Sequence, residues 1–218
     1  MKRLAACLRF LFFLLVVRPL MLIFLGFHVR GYDRLPKQGP LIVVANHNSH
    51  LDALALITLF GMKRLKDVHP VAAADYFLKN RFLAWFFLNI IGIIPFDRRL
   101  KSKRNGGHEN PLDPISKALE DRQIVILFPE GSRGEPEKLE AFKTGIAHIA
   151  ARHPEVPITP IFLHGLGKSL PRGEALLVPF ICDLLIGEPL TWTGDRETFM
   201  EELNGRMQAL AGELNLPA

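Results

Sequence analysis

LIVVANHNSHLD, residues 41–52, decides how this chain is read. Its first five residues are a continuous β-rich apolar run behind the turn-forming PKQGP of residues 36–40, which is the pattern of a buried strand. Two histidines, a serine and an aspartate then crowd into His47 to Asp52, in a chain with only 8 His. Three readings compete for that cluster: a metal site, a general base with an orienting carboxylate, or a helix cap that contains histidines. His47 and Asp52 are five residues apart, about 140° around a helix, so they do not share a helical face. They can meet across a turn. With Ser49 as N-cap, Asp52 falls at the third helical position as its capping partner. His47 is then left in a loop at the carboxyl end of a parallel strand, where open α/β sheets bind ligands. Asp52 would accept a hydrogen bond from one ring nitrogen of His47 and leave the other as a base. A metal would need His47, His50 and Asp52 to converge without an i, i+4 histidine pair or an evident fourth ligand.

Outward from this stretch, short apolar runs alternate with helical patterns. A helix is predicted over residues 51–60, ended by Gly61, then a strand over 68–74. Residues 76–91 read as one helix, apolar all round, buried in protein or lying on lipid. Next come a strand over 93–96, a polar loop DRRLKSKRNGGHENP, a helix over 114–120 and a strand over 124–128. A helix over 142–152, a strand over 158–163 and a strand pair over 176–179 and 182–186 follow. Gly194 and Asp195 start a closing helix over 196–214, with Phe199, Leu203, Met207 and Leu210 on one face. This alternation is that of an α/β fold with a mainly parallel central sheet flanked by helices. Neither GxGxxG nor GxxxxGK[ST] occurs, so no nucleotide loop is indicated.

The 218 residues suffice for one sizeable domain with a small appendage. Sixteen Phe stand against 2 Tyr and 2 Trp, mean hydropathy is +0.17, and much of the apolar weight lies in the first 27 residues. Lipid is the partner this implies. The net charge of +5 suits an anionic membrane surface or a phosphorylated substrate. Nucleic acid is not expected, since the aromatics form no stripe interleaved with basic residues. Cys7 and Cys182 show no CxxC spacing, which fits a reducing, cytosol-facing location. The N-terminal MKRLAACLRFLFFLLVVRPLMLIFLGFHVRG shows no convincing cleavage site. Arg18-Pro19 is read as a break that leaves two runs, each short of the roughly 20 residues a span needs. An arginine at mid-depth would cost roughly 2.5–3.5 kcal/mol. A broken helix lying in one leaflet avoids that cost, with Lys2, Arg3, Arg9 and Arg18 reaching headgroups; a true span and a helix packed on its own domain are the other two readings.

Polar constellations also follow two other strands. IGIIPFDRR sets Arg98 and Arg99 after a short apolar run, and FPEGSRG sets Glu130, Gly131, Ser132 and Arg133 after IVILF. Arginines at such a rim grip phosphate, and Gly131 and Gly134 let backbone approach a ligand. The bland alternatives are a solvated basic run continuing through Lys101, Lys103 and Arg104, and a surface ion pair between Glu130 and Arg133.

Together these stretches resemble a known family. NHNSHLD (46–52) resembles the NHxSxxD form of the HX4D motif of glycerolipid acyltransferases, the 1-acylglycerol-3-phosphate acyltransferases. GIIPFDR (92–98), FPEGSRG (128–134) and VPITPI (156–161) are similar to that family's second, third and fourth blocks, in order, within residues 31–187. The resemblance implies that His47 is the general base, oriented by Asp52, and that the acyl group passes from a thioester directly to a lysophospholipid hydroxyl. It implies that Arg98, with Glu130, Gly131 and Arg133, binds the acceptor's phosphate and glycerol. Arg99 is expected to share the task of Arg98 and Ser132 to belong to the same site; Lys143 and Gly145, just past the third block, either line that site or simply start a helix. No cofactor is implied: acyl-CoA or acyl carrier protein is a substrate, and a lysophospholipid and the membrane surface are the other partners. Ser132 and Gly134 stand where the family more often has Thr and Ser, which weakens the case for lysophosphatidate itself as acceptor. His50 lies outside the motif positions and is expected to face solvent. The expected division is residues 1–30 as a membrane-associating helical segment and 31–218 as the acyltransferase domain, on the cytoplasmic face of the inner (plasma) membrane.

Overall fold

The computed structural model describes residues 2–77, 80–97, 110–134, 139–169, 178 and 180–214. Seven strands form one sheet: β1 Phe27–Arg30, β2 Leu41–Ala45, β3 Val68–Ala73, β4 Ile94–Phe96, β5 Ile124–Leu127, β6 Ile158–His164 and β7 Cys182–Ile186, in the order β1-β7-β6-β2-β5-β3-β4. β2 to β6 all run parallel; β7 is antiparallel to β6, and β1 is parallel to β7. The carboxyl ends of five strands therefore share one edge, which the amino ends of β7 and β1 complete.

β2 lies at the centre, and its pleat divides the core. Leu41, Val43 and Ala45 belong to one buried cluster while Ile42 and Val44 belong to the other, so both faces are covered and the strand is apolar throughout. The helix α1, Lys2–Phe12, and its continuation lie on the first face, together with α2, Asp52–Leu59. Two short helices, α3 Ala74–Phe77 and α4 Arg81–Phe86, follow β3, and Phe86 and Phe87 pack on the same cluster. The second face carries α5 Asp113–Glu120, α6 Gly145–Arg152 and, after the short α7 Leu166–Ser169, the long α8 Arg196–Gly212. Phe199, Leu203, Met207 and Leu210 of α8 are buried as their helical spacing requires.

The N-terminal segment corrects the sequence reading. Pro19 does not break it. Helix α1 continues through two π-helical stretches, Phe13–Val17 and Leu20–Phe24, with Arg18 and Pro19 helical between them. Its buried stripe is Ala5, Arg9, Phe13, Val17, Met21 and Leu25, a strict four-residue repeat. An ideal α-helix would drift about 40° per step along such a repeat. The wider i→i+5 turns rotate less per residue, cancel that drift and ease the clash of the proline ring with the preceding turn. Arg3–Phe24 is thus one helix of 22 residues with a mean hydropathy of 2.3 over its most apolar window. Arg9 does not reach outward. It is buried, donates from Nη2 to the Val68 carbonyl at 2.9 Å, and presses its guanidinium on Gly92, where a Cβ would come within 2.3 Å of Nη1. Burial lowers its pKa to about 10, against the pull of Asp67.

Other boundaries shift for local reasons. The helix predicted over 76–91 is broken at Asn80, whose side chain accepts from the Phe82 and Leu83 amides at 2.8 and 3.4 Å and starts α4 afresh. Phe27–Arg30, assigned by sequence to the N-terminal segment, joins the sheet as its edge strand. Of the strand predicted over 176–179, residues 176, 177 and 179 lie outside the described residues, and Val178 is not in a strand.

Candidate active site

At the end of β2 the polar cluster turns inward. Asn46 is buried, and its amide spans to β6, donating to the Leu163 carbonyl at 2.9 Å and accepting from the Leu163 amide at 2.7 Å. The chain beyond it curls so that Asp52, the first residue of α2, points back into the loop. One carboxylate oxygen, Oδ2, accepts from the Asn48 amide at 2.7 Å, the Ser49 amide at 2.8 Å and His47 Nδ1 at 2.9 Å. Because a carboxylate only accepts, Nδ1 carries the proton and Nε2 is left with a lone pair. Asp52 is fully buried, while the His47 side chain keeps 22% of its surface. The expected capping pair is half present: Asp52 reaches back to the Ser49 amide, but Ser49 Oγ accepts from Leu51, at 3.3 Å.

The FPEGSRG loop after β5 holds the same histidine from the other side. Glu130 Oε2 accepts from the His47 amide at 3.0 Å, and the Gly134 amide donates to the His47 carbonyl at 3.0 Å. The Phe128 ring stacks on the imidazole at 4.3 Å between centroids and 23° between planes. The imidazole of His47 is thus gripped by backbone, ring face and Nδ1, which sets the direction of Nε2.

Glu130 is 4% exposed, and its second oxygen accepts from the Glu140 amide at 3.3 Å. Both oxygens brace backbone. Burial raises its pKa to about 7; the two amide bonds oppose this, and the nearby Asp52 and Glu140 carboxylates add to it. No Glu130–Arg133 ion pair is present among the described residues. Gly131 has φ +76°, and a Cβ there would meet Lys143 Nζ at 2.4 Å, so the glycine makes room for the lysine beside the loop. Lys143 is further tied by its amide to the Pro129 carbonyl at 3.0 Å.

The structure therefore brings His47, Asp52, Glu130, Gly131, Ser132, Arg133 and Lys143 to one edge of the sheet. Ser132 and Lys143 are exposed there and Arg133 is half-buried. Arg98 and Arg99 lie outside the described residues; β4 and Asp97 lead to the same edge. His50 keeps an exposed side, as expected, while partial desolvation by the surrounding loops, with the charges of Arg133 and His47, lowers its pKa. Among the described residues no group of three or more His, Cys, Asp or Glu side chains converges as metal ligands would.

Two contributors went unnoticed in the sequence. Asn46 opens the NHNSHLD block, which was its available signal; Phe128 sits next to Glu130 but an aromatic after a strand reads as core.

Residues 26–164 match the family model described as Acyltransferase. A 1-acyl-sn-glycerol-3-phosphate acyltransferase alpha of Ovis aries is 30% identical over 167 residues, 76% of this chain and 54% of that protein. A lyso-ornithine lipid O-acyltransferase of Rhizobium meliloti (strain 1021) is 32% identical over 136 residues, 62% of this chain and 42% of that protein. The chain spans about half the length of the curated relatives it matches. The crystal structure of the 1-acyl-sn-glycerophosphate (LPA) acyltransferase PlsC from Thermotoga maritima is similar to it at a TM-score of 0.73 and 22% identity, covering 100% of this chain and 82% of that one. At that identity the likeness is one of fold.

Proposed function

The chain belongs to the acyltransferase family, and on that premise we propose that it moves a fatty acyl group from an acyl thioester to the free hydroxyl of a lysophospholipid, with 1-acylglycerol-3-phosphate as acceptor and phosphatidic acid as product. The observation that carries the reading is the His47–Asp52 contact of 2.9 Å, with the base gripped by its backbone at the sheet's carboxyl edge.

In the reaction, Nε2 of His47 takes the proton of the acceptor hydroxyl as its oxygen attacks the thioester carbonyl carbon. The imidazolium is stabilised by Asp52. Collapse of the tetrahedral intermediate breaks the carbon–sulfur bond, and the proton on Nε2 passes to the departing thiolate. The thioester is already activated, so positioning and one base suffice. Arg98, Arg99, Arg133 and Lys143 are the cations that would hold the acceptor's phosphate at this edge.

The N-terminal helix supports a membrane-bound setting. Phe13, Val17, Met21 and Leu25 are buried on the sheet, while Leu4, Leu15 and Ile23 on its other side are exposed. Phe82, Leu83, Trp85 and Leu88 extend that apolar surface, and the Phe12 and Phe86 rings meet edge to face at 5.4 Å between the two helical segments. A helix lifted off to cross the bilayer would be satisfied by lipid, but the sheet face beneath it would be left to water. The helix therefore lies in one leaflet with the domain against it.

Mixing detergent-purified protein with labelled oleoyl-CoA and 1-acylglycerol-3-phosphate, beside His47→Ala, tests the reading. Phosphatidic acid from the wild type alone supports it. No product from a folded protein, with acyl-CoA or with acyl carrier protein as donor, overturns the acceptor assignment.

The match to the Rhizobium protein favours a second reading, the same chemistry on an unphosphorylated lysolipid. Activity on lyso-ornithine lipid that ignores Arg98→Ala and Arg99→Ala would select it.

A further inference from the structure

A second apolar group lies at the same edge of the sheet as the base, far in sequence from the N-terminal helix. Val178, Phe180 and Ile181 are all exposed, Ile181 at 69%, immediately before β7. They are held out by bonds to the fold around them. The Val178 amide donates to the Ser169 carbonyl at 2.9 Å, and the Cys182 amide to the Gly26 carbonyl at 3.4 Å. Gly165, at φ +88°, leaves the space in which a Cβ would meet the Ile181 carbonyl at 2.5 Å and the Phe180 ring at 3.1 Å. Three large apolar side chains in water gain by collapsing onto the core. Here contacts with Gly165, Ser169 and Gly26 hold the backbone at Val178 and at Phe180 to Cys182 in the outward position.

The register shows what it adjoins. Phe27 of β1 pairs with Cys182 of β7, so Ile181 stands beside Gly26, two residues past Phe24. The exposed Leu22, Ile23 and Phe24 at the carboxyl end of the N-terminal helix and the exposed Phe180 and Ile181 before β7 thus lie toward the same corner of the sheet. Lys168 lies beside them with Nζ 5.3 Å from the Phe180 ring centroid. An apolar tip with a lysine at its shoulder is the pattern of a group that enters acyl chains while its cation stays with headgroup phosphates.

We propose that Phe180 and Ile181, with Val178, form a second lipid-contacting element continuous with the helix end at Leu22 to Phe24, and that this rim sets the catalytic edge of the sheet down on the surface of an anionic phospholipid bilayer. The proposal rests on the reading that the N-terminal helix lies in the membrane. It adds an orientation: lysolipid reaches His47 from the bilayer surface, past the rim, without leaving it.

The test uses the full chain bound to vesicles of phosphatidylcholine and phosphatidylglycerol. In a Trp85→Phe, Trp192→Phe background, a single tryptophan is introduced as Ile181→Trp or as Ile23→Trp, and its quenching by lipids brominated on the acyl chain is read. Quenching at both positions is expected. Quenching of Ile23→Trp alone overturns the rim and leaves the helix reading intact; quenching of neither overturns both. A Phe180→Ser, Ile181→Ser variant, checked for an unchanged melting temperature, supplies the second readout. Its rate on vesicle-borne acceptor should fall by about tenfold or more, with the rate on a short-chain, water-soluble acceptor unchanged. An unchanged vesicle rate, or an equal loss on both acceptors, overturns the proposal.

Discussion

The sheet edge around His47 and the outer surface of the N-terminal helix invert the usual rule of burial in opposite directions. At the edge, Asn46, Asn48, Ser49, Asp52 and Glu130 are polar and buried; on the helix, Leu4, Leu15 and Ile23 are apolar and exposed, Ile23 at 82%. Each inversion needs a partner. For Asp52 and Glu130 the partners are backbone amides within the chain, so the site is rigid before substrate binds. For the helix surface no partner is found among the described residues, and the phase that can satisfy it is lipid. The first region takes most of its partners from folding, with the Asn48 side-chain amide and Asp52 Oδ1 left without one among the described residues, and the second takes its partner by association.

The largest effect is expected where folding has finished the job. His47→Ala should lower kcat by roughly 10³-fold with little change in KM for either substrate, and Asp52→Asn should approach that loss because it no longer holds Nδ1 as a donor. Steady-state kinetics on both variants measures this, and a loss that falls mainly on KM would break the assignment of His47 as base. On the other side of the comparison, Leu15→Ser with Ile23→Ser should weaken vesicle binding by roughly 10²-fold while leaving the melting temperature in detergent unchanged. Vesicle flotation reads the first and a thermal scan the second; a large drop in melting temperature would place those side chains in the core instead.

Glu130 sharpens the comparison through pH. The native carboxyl keeps its proton up to about pH 7, whereas the unfolded chain releases it near 4.5. The folded state therefore binds more protons between these values, and its contribution to stability, full below pH 4.5, is lost as pH rises through 7. The change is on the order of 3 kcal/mol. Thermal scans across that window should slope downward for the wild type and flatten in Glu130→Gln. The smallest effect is expected from Gly131→Ala, where φ +76° and the contact with Lys143 Nζ both oppose a Cβ. A destabilisation of about 1–2 kcal/mol, seen as a lower melting temperature, should accompany a raised KM for the phosphorylated acceptor.

The apolar runs at residues 41–45, 124–127 and 158–163 read directly as strands because each is buried on both faces, and such burial writes itself into composition. Proline misled where it usually guides. Pro19 reads as a break because an ordinary α-helix cannot hold it, and the π-helical turns that accommodate it depend on a four-residue stripe packing on a sheet not yet formed. Asn80 was passed over for the reverse reason: an apolar stretch dominates the window, and a single capping amide carries little weight in it until the backbone turns. At the site, the His47–Asp52 pair was legible because five residues and one turn place it. The brace from Glu130 was not, because it joins residues 83 positions apart and looks like a surface carboxylate until its burial is known.

The sequence by itself determined the kinds of element, the parallel α/β class and the chemical types gathered at the strand ends, since propensity, periodicity and motif spacing act over a few residues. Only the tertiary structure decided that β7 turns antiparallel, that Arg9 faces Gly92 instead of lipid, and that Glu130 holds His47 by its backbone. Burial and hydrogen-bond partnership are properties of neighbours brought from far along the chain. No local window contains them.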